Sequence, residues 1–391
     1  MNTEAIKYFN QFHKDELSTI LNYFEREIPR KAKKAELVEL VTEFIGGHPR
    51  EWLYRLPERD LRLMRMLCNA GPENWMEMIS PEYPSVAAVL GLIYVDDNSF
   101  DEVMASIDRT LYFPVASIID QVIKEKENDG SFEIERLALG LLNIYGAIPV
   151  ESFVENVFGM FDEDELGRDV TMAMAECPII SINRIAYKDD IYLISPYAYD
   201  YEAIIDGREE FEEIREFPVY PKKDVIGAGT HSPFCAFRNE EYYAVKEILD
   251  GFGYDEDEIE REIHRIWMNS QHASDDESTE AIFSCINSRI EEIDSFDTYR
   301  HYIDIIAAYA NSIPKWLLKG STSKDAGLLQ LSIKVEDMMT ETEEESTDEE
   351  ALGPLKEFYK YNMAVRHVAP DDPCPCGSGL SYCRCHGKRL N

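Results

Sequence analysis

Positive charge is scarce in this chain. Its 391 residues include 39 lysines and arginines against 76 aspartates and glutamates, a formal charge of −37. A field of that sign repels phosphate backbones and anionic membranes except where basic groups are locally concentrated. Long apolar runs are missing as well. The longest stretches, such as Val86 to Val95, fall far short of the ~20 residues that a membrane span needs. The first residues, MNTEAIKYFNQFHKDELS, lack a basic start followed by an apolar run, so no signal peptide and a cytoplasmic location are expected. No GxxxxGK[ST] phosphate loop, no GxGxxG opening a helix, no HExxH and no GxSxG elbow occurs. Carboxylates are too abundant for any pair of them to be informative. These absences lead to the expectation that the chain is not an enzyme.

Cysteine is sparse over most of the length and then abruptly concentrated. Cys68, Cys177, Cys235 and Cys285 are isolated within patterned segments and read as buried thiols. The other four lie in DDPCPCGSGLSYCRCHG, residues 371–387, beside His386. Such a cluster either oxidises to disulfides, holds a metal or arises by chance. In a reducing compartment clustered thiols point to metal. Three thiolates and an imidazole make a closed tetrahedral set suited to zinc. Gly377 and Gly379 flank Ser378 directly after Cys376, where they let backbone N–H groups turn toward the sulfurs.

The string CPCGSGLSYCRCH resembles the SEC-C motif, the zinc-binding tail of the preprotein-translocation ATPase SecA that many other bacterial proteins also carry. The resemblance implies that Cys374, Cys376, Cys385 and His386 are the ligands of a structural zinc, with Tyr382 at the motif's tyrosine position. It also implies a protein partner, a secretion chaperone or the ribosome, for the tail. Leu380-Ser381 replaces the usual basic pair, and Cys383 stands where a basic residue is usual. A site with four protein ligands has no open position for catalysis. Preceding it, residues 336–350 (EDMMTETEEESTDEE) hold nine acidic residues and no basic one, the composition of a solvated tether. Residues 355–365 between the two have the spacing of a short helix.

The fold class expected for the body is mainly α. Asp15 to Phe24 and Ala35 to Ile45 repeat apolar residues at spacings of three and four, with Gly46-Gly47 as a stop. The basic connector between them holds Arg30, Lys31, Lys33 and Lys34, and this pair of helices resembles a SAP-type or Rho-N-type module. That likeness implies nucleic-acid binding. Arg55, Arg59, Arg62 and Arg65 continue the basic stripe. Residues 26–66 hold ten basic and seven acidic side chains, a local net of +3. Contact with phosphates is one reading; helix faces paired with the acidic remainder are the other.

Residues 131–200 hold three helical patterns, Ile134 to Tyr145, AIPVESFVENVF and Asp164 to Ala175, then β-rich runs on either side of Lys188-Asp189-Asp190. Three helices and a hairpin resemble a winged helix. The third helix is acidic, which favours protein contact over DNA. Beyond it, Glu202 to Arg215, Tyr242 to Leu249, Glu258 to Asn269, Thr279 to Ile293 and Phe296 to Ile313 are helical by spacing. PVYPKKDVIGAGTHSPFC reads as a loop, in which His231 and Cys235 lack further ligands. The expected organisation is a SAP/Rho-N-like module (1–48), a helical region (49–130), a winged-helix-like α+β unit (131–200), a second helical region (201–335), an acidic linker with a short helix (336–369) and the zinc knuckle (370–391). The expected function is a cytoplasmic metal-binding adaptor whose tail docks on a protein. The alternative is a nucleic-acid-associated regulator using segment 30–65, with Arg30, Lys31, Lys33, Lys34, Arg55, Arg59 and Arg62 as its contacts.

Overall fold

The structure is a computed structural model that describes residues 3–77, 85–96, 103–161, 168–211, 213–230, 238–271, 281–323 and 325. It is mainly helical with small sheets. The chain divides into two compact units, residues 1–236 and 237–391. Among the described residues no helix is long and apolar enough to cross a membrane.

The first unit opens with α1 (Thr3–Phe9), α2 (Lys14–Tyr23), α3 (Lys34–Gly47), α4 (Pro49–Tyr54) and α5 (Glu58–Ala70). The spacing in DELSTILNYF works as read, since Leu17, Ile20 and Leu21 are the buried face of α2. At its start the Glu16 carboxylate accepts the His13 backbone N–H, one of the donors a helix start leaves without a partner. Phe24 packs on Phe44 and Trp52, with ring centroids 5.4 and 6.4 Å apart, and Trp52 Nε1 donates to Ile45 O at 2.9 Å. The core formed here runs on through α7 (Arg109–Ala116) and α8 (Ile119–Asn128).

Between α5 and α7 the chain departs from the all-helical expectation for the first hundred residues. β1 (Met76–Glu77), β2 (Tyr94–Asp96) and β3 (Met104–Ser106) form an antiparallel sheet in the order β1-β3-β2, with the short α6 (Val86–Val89) preceding β2. Strands of two or three residues are too short to show the alternation that marks a strand in sequence. Asp60 of α5 anchors this insertion. Its Oδ1 accepts from Ala87 N at 2.8 Å and from Ser85 Oγ at 2.6 Å, at the start of α6.

The next stretch runs α9 (Ser131–Tyr145), β4 (Ala147–Pro149), α10 (Val150–Phe158), α11 (Arg168–Glu176), α12 (Pro178–Ile182), β5 (Arg184–Tyr187) and β6 (Asp190–Ile194). The antiparallel sheet has the order β4-β6-β5, with Ile148 opposite Leu193 and Ile185 opposite Tyr192. The turn of the β5–β6 hairpin places Lys188 at φ 53. α13 (Tyr201–Gly207) ends earlier than the spacing of residues 202–215 suggests and tightens into a 3-10 turn, Arg208–Phe211. Arg208 is buried there and donates to Tyr145 O at 2.7 Å and Ala147 O at 2.8 Å. Burial brings its guanidinium down to about 10.

The segment read as a Pro- and Gly-rich loop contains a helix instead, α14 (Lys222–Thr230), lying along α9. The two backbones touch. A Cβ added to Gly140 would stand 1.9 Å from Val225 O, and one added to Gly229 would stand 1.9 Å from Arg136 O. Glycine here is a packing residue, and that use looks the same as a turn signal in sequence. Asn143 Nδ2 donates to Ala228 O at 3.0 Å, and Ser195 Oγ donates to Asn143 Oδ1 at 3.0 Å, so the crossing is tied to the chain just beyond β6.

The second unit contains α15 (Glu240–Gly251), α16 (Glu256–Gln271), α17 (Ser284–Asn287) and α18 (Phe296–Ser312). α15 and α18 pack together, with Tyr242 and Tyr309 ring centroids 6.3 Å apart. The long helix expected over 279–293 is broken into α17 and a 3-10 turn at Ile290–Glu292. The acidic tether 336–350, the segment 355–365 and the cysteine-rich tail lie outside the described residues.

Candidate functional site

The arginine stripe is occupied by its own acids. Arg55 Nη1 reaches Glu25 at 2.9 Å and donates to Phe24 O at 3.1 Å. Arg62 Nη2 lies 2.6 Å from Glu58 and 3.2 Å from Glu127, and Arg65 Nε lies 3.2 Å from Asp120. Arg59 is half-buried, and its charge acts on the neighbouring Asp60, whose carboxyl is raised mainly by its own burial. The connector behaves differently. Arg30, Lys31 and Lys33 are exposed and make no ion pair among the described residues, while Lys34 Nζ donates to Asn10 O at 2.7 Å. The basic segment thus splits into arginines engaged with the fold and a small exposed corner at the start of α3.

Beneath the stripe is a buried charge network that the sequence reading missed. Lys126 of α8 and Glu135 of α9 pair at 2.5 Å, with side chains 1% and 4% exposed. Lys126 Nζ also donates to Tyr54 O and Leu56 O, each at 3.0 Å, and sits 5.3 Å from the centroid of the Phe132 ring. Glu135 Oε2 accepts the Glu58 backbone N–H at 2.7 Å. Arg136 grips the Glu58 side chain from the next position along α9. Burial pushes the Glu135 carboxyl upward, and the Lys126 ammonium works against that. One signal was legible: Glu135 and Arg136 are two adjacent charges in the otherwise apolar run IERLALGLL. Beside this network Arg50, Tyr54, Glu125, Asn128 and Asp129 line an open cleft of about 410 Å³. Its charges are matched internally, with Arg50 on Glu125 at 2.7 Å and the Tyr54 hydroxyl on Asp129.

The body cysteines in the described residues are free and buried, as their isolated positions suggested. Burial raises Cys68 to about 11 and both Cys177 and Cys285 to about 12. They therefore remain thiols at neutral pH, and a thiol is a poor metal ligand. Among the described residues no group of three or more His, Cys, Asp or Glu is arranged to hold a metal ion. The proposed ligands Cys374, Cys376, Cys385 and His386, and the residues His231, Cys235 and His272, lie outside the described residues.

No protein-family model matches the chain. No solved structure matches it either. What it does must therefore be read from its own residues.

In the second unit the end of α16 is clasped by the turn after α18. Gln271 Nε2 donates to Pro314 O at 3.1 Å, and Gln271 Oε1 accepts from Trp316 N at 3.0 Å. Lys315 Nζ donates to Ser270 O at 3.1 Å, and the Trp267 and Trp316 rings meet edge to face at 5.4 Å. Lys315 makes no ion pair among the described residues, and burial brings its amine down to about 7.

Proposed function

We propose that this chain is a non-enzymatic adaptor, a helical body bearing a SEC-C-like structural zinc module that docks on a protein partner. The observation that carries the reading is the string CPCGSGLSYCRCH at residues 374–386. The thiol chemistry of the body supports it. Buried Cys68, Cys177 and Cys285 hold their protons too tightly to compete for metal, which leaves the tail's thiolates and His386 as the favoured soft ligands. A secretion chaperone or the ribosome is the partner class that the resemblance suggests.

Elemental analysis of the full chain should find one zinc per molecule. Cys374→Ser with Cys376→Ser should remove it without altering the circular dichroism of the body. Deleting residues 370–391 should abolish capture of the purified chaperone or ribosome. Metal-free protein after growth with ample zinc sinks the zinc module, and retained capture sinks the docking role.

The order helix–strand–three helices–strand–strand over α9 to β6, with the first strand paired to the last, supports a winged-helix reading of that region. On α11, Thr171, Met172, Ala175 and Glu176 are exposed, and the side chains described on that helix bear no positive charge. This supports protein contact over a DNA groove, where donors and cations are needed.

A second reading, nucleic-acid association, is favoured at one place only. Arg30, Lys31 and Lys33, with Lys34 beside them, form the exposed basic corner, whereas Arg55, Arg62 and Arg65 are engaged with carboxylates. That reading predicts binding that weakens steeply with salt and with Lys31, Lys33 and Lys34 replaced by alanine. No retardation of DNA or RNA at low salt ends it.

A further inference from the structure

Between α2 and α3 lies a groove of about 380 Å³ whose composition is the opposite of the basic corner nearby in sequence. Its floor is apolar, formed by Leu21, Leu40 and Phe44, and its rim holds Glu25, Glu27 and Glu43. Glu25 is already joined to Arg55 at 2.9 Å. Glu27 and Glu43 are exposed and make no ion pair among the described residues. A guanidinium already occupies the floor: Arg26 Cζ sits 4.5 Å from the centroid of the Phe44 ring, while Arg26 Nη1 is held by Glu51 at 2.9 Å. Between α3 and α4, His48 stacks near Phe44 at 6.2 Å and lies 3.8 Å from Glu51.

Aromatic floor, aliphatic walls and surplus carboxylates together select a cation with an apolar stem. We infer that this groove binds an arginine-bearing basic segment of a partner polypeptide, with Arg26 as an internal stand-in for the incoming side chain. Arg26 moves aside to Glu51 alone, the ligand's guanidinium takes the face of Phe44 so uncovered and bridges Glu27 and Glu43, and its methylenes lie on the half-buried Leu40. The volume suits one such side chain and part of its neighbour. A second copy of this chain is a poor occupant, because two bodies of charge −37 repel. The site owes nothing to the zinc tail, and either can fail without the other.

The test is fluorescence anisotropy of the full chain at low salt with a fluorescein-labelled hexapeptide of alternating leucine and arginine. Glu27→Gln with Glu43→Gln should weaken binding about tenfold, the size expected for two rim ion pairs. Glu151→Gln with Glu155→Gln, an equal change of charge on the exposed face of α10, should leave binding unaltered. Arg26→Ala should tighten it several-fold by vacating the Phe44 ring, and Cys374→Ser with Cys376→Ser should change nothing. The proposal is overturned if the peptide does not bind, if the α10 pair weakens binding as much as the groove pair, if Arg26→Ala has no effect, or if only the tail variant abolishes binding.

Discussion

Two lysines turn their amines toward the protein, the buried Lys126 in the first unit and the half-buried Lys315 in the second, and their surroundings receive them differently. Lys126 meets a carboxylate, Glu135, and two backbone carbonyls, so its charge is answered where it lies. Lys315 meets the carbonyl of Ser270 at the end of α16 and no ion pair, and its amine is brought down to about 7. An ammonium ion stripped of water is stable only if something replaces the water. Where the replacement is complete, the ion pins two helices together. Where it is partial, the proton is the part that gives way. The first unit therefore uses charge as a fastener, and the second uses an amide, Gln271, with the lysine as an accessory.

The sharpest way to break this contrast is Lys126→Met. It strands Glu135 in the core, and denaturant unfolding should show a loss of about 3–5 kcal/mol. Adding Glu135→Leu should restore most of it; a double variant as unstable as the single one refutes the pairing account. Next in size, Gln271→Ala leaves Pro314 O and Trp316 N without their partner and should lower stability by about 2–3 kcal/mol. Lys315→Met should have the opposite sign. Between pH 7 and the ordinary lysine range the unfolded chain binds a proton that folded Lys315 does not, so wild-type stability rises with pH across that window. The variant should be the more stable at pH 7, and its advantage should shrink by pH 9.5. An advantage that does not change with pH assigns the effect to packing alone. The smallest effect is expected from the exposed pairs: Arg65→Ala should move stability by less than about 1 kcal/mol, less still in high salt.

What the sequence made legible follows from how far each signal reaches along the chain. Helices are local, so the spacing of Leu17, Ile20, Leu21 and Phe24 marked α2, and the apolar pattern from Phe296 matched α18 to within a residue of its end. The β5–β6 hairpin was legible from two β-rich runs, Ile179 to Tyr187 and Ile191 to Ile194, although the start of the first run belongs to helix α12. The first sheet was not, because its strands are too short to alternate and are joined by long connections. α14 was misread because the glycines that admit a neighbouring backbone are the same residues that mark turns. The ends of the arginine side chains were also out of reach. The partners of Arg55, Arg62 and Arg65 include Glu25, Glu127 and Asp120, which only the tertiary fold brings near. The groove over Phe44 was invisible for the same reason, since its rim comes from the turn after α2 and from α3. The proposed ligands Cys374, Cys376, Cys385 and His386 are the reverse case, an expectation that rests on thirteen consecutive residues and lies outside the described ones.

The meeting of α9 with α14 has a consequence for how the fold finds its alignment. With hydrogen atoms alone between Gly140 and Val225 O, and between Gly229 and Arg136 O, the joint tolerates one setting. Sliding α14 by a single residue would drive the methyl of Ala228 or the hydroxyl-bearing side chain of Thr230 into the Arg136 carbonyl, and every such slip is rejected by collision. The joint works like a keyed shaft. It sets the rotation and the advance of one helix against the other through what is missing from two side chains.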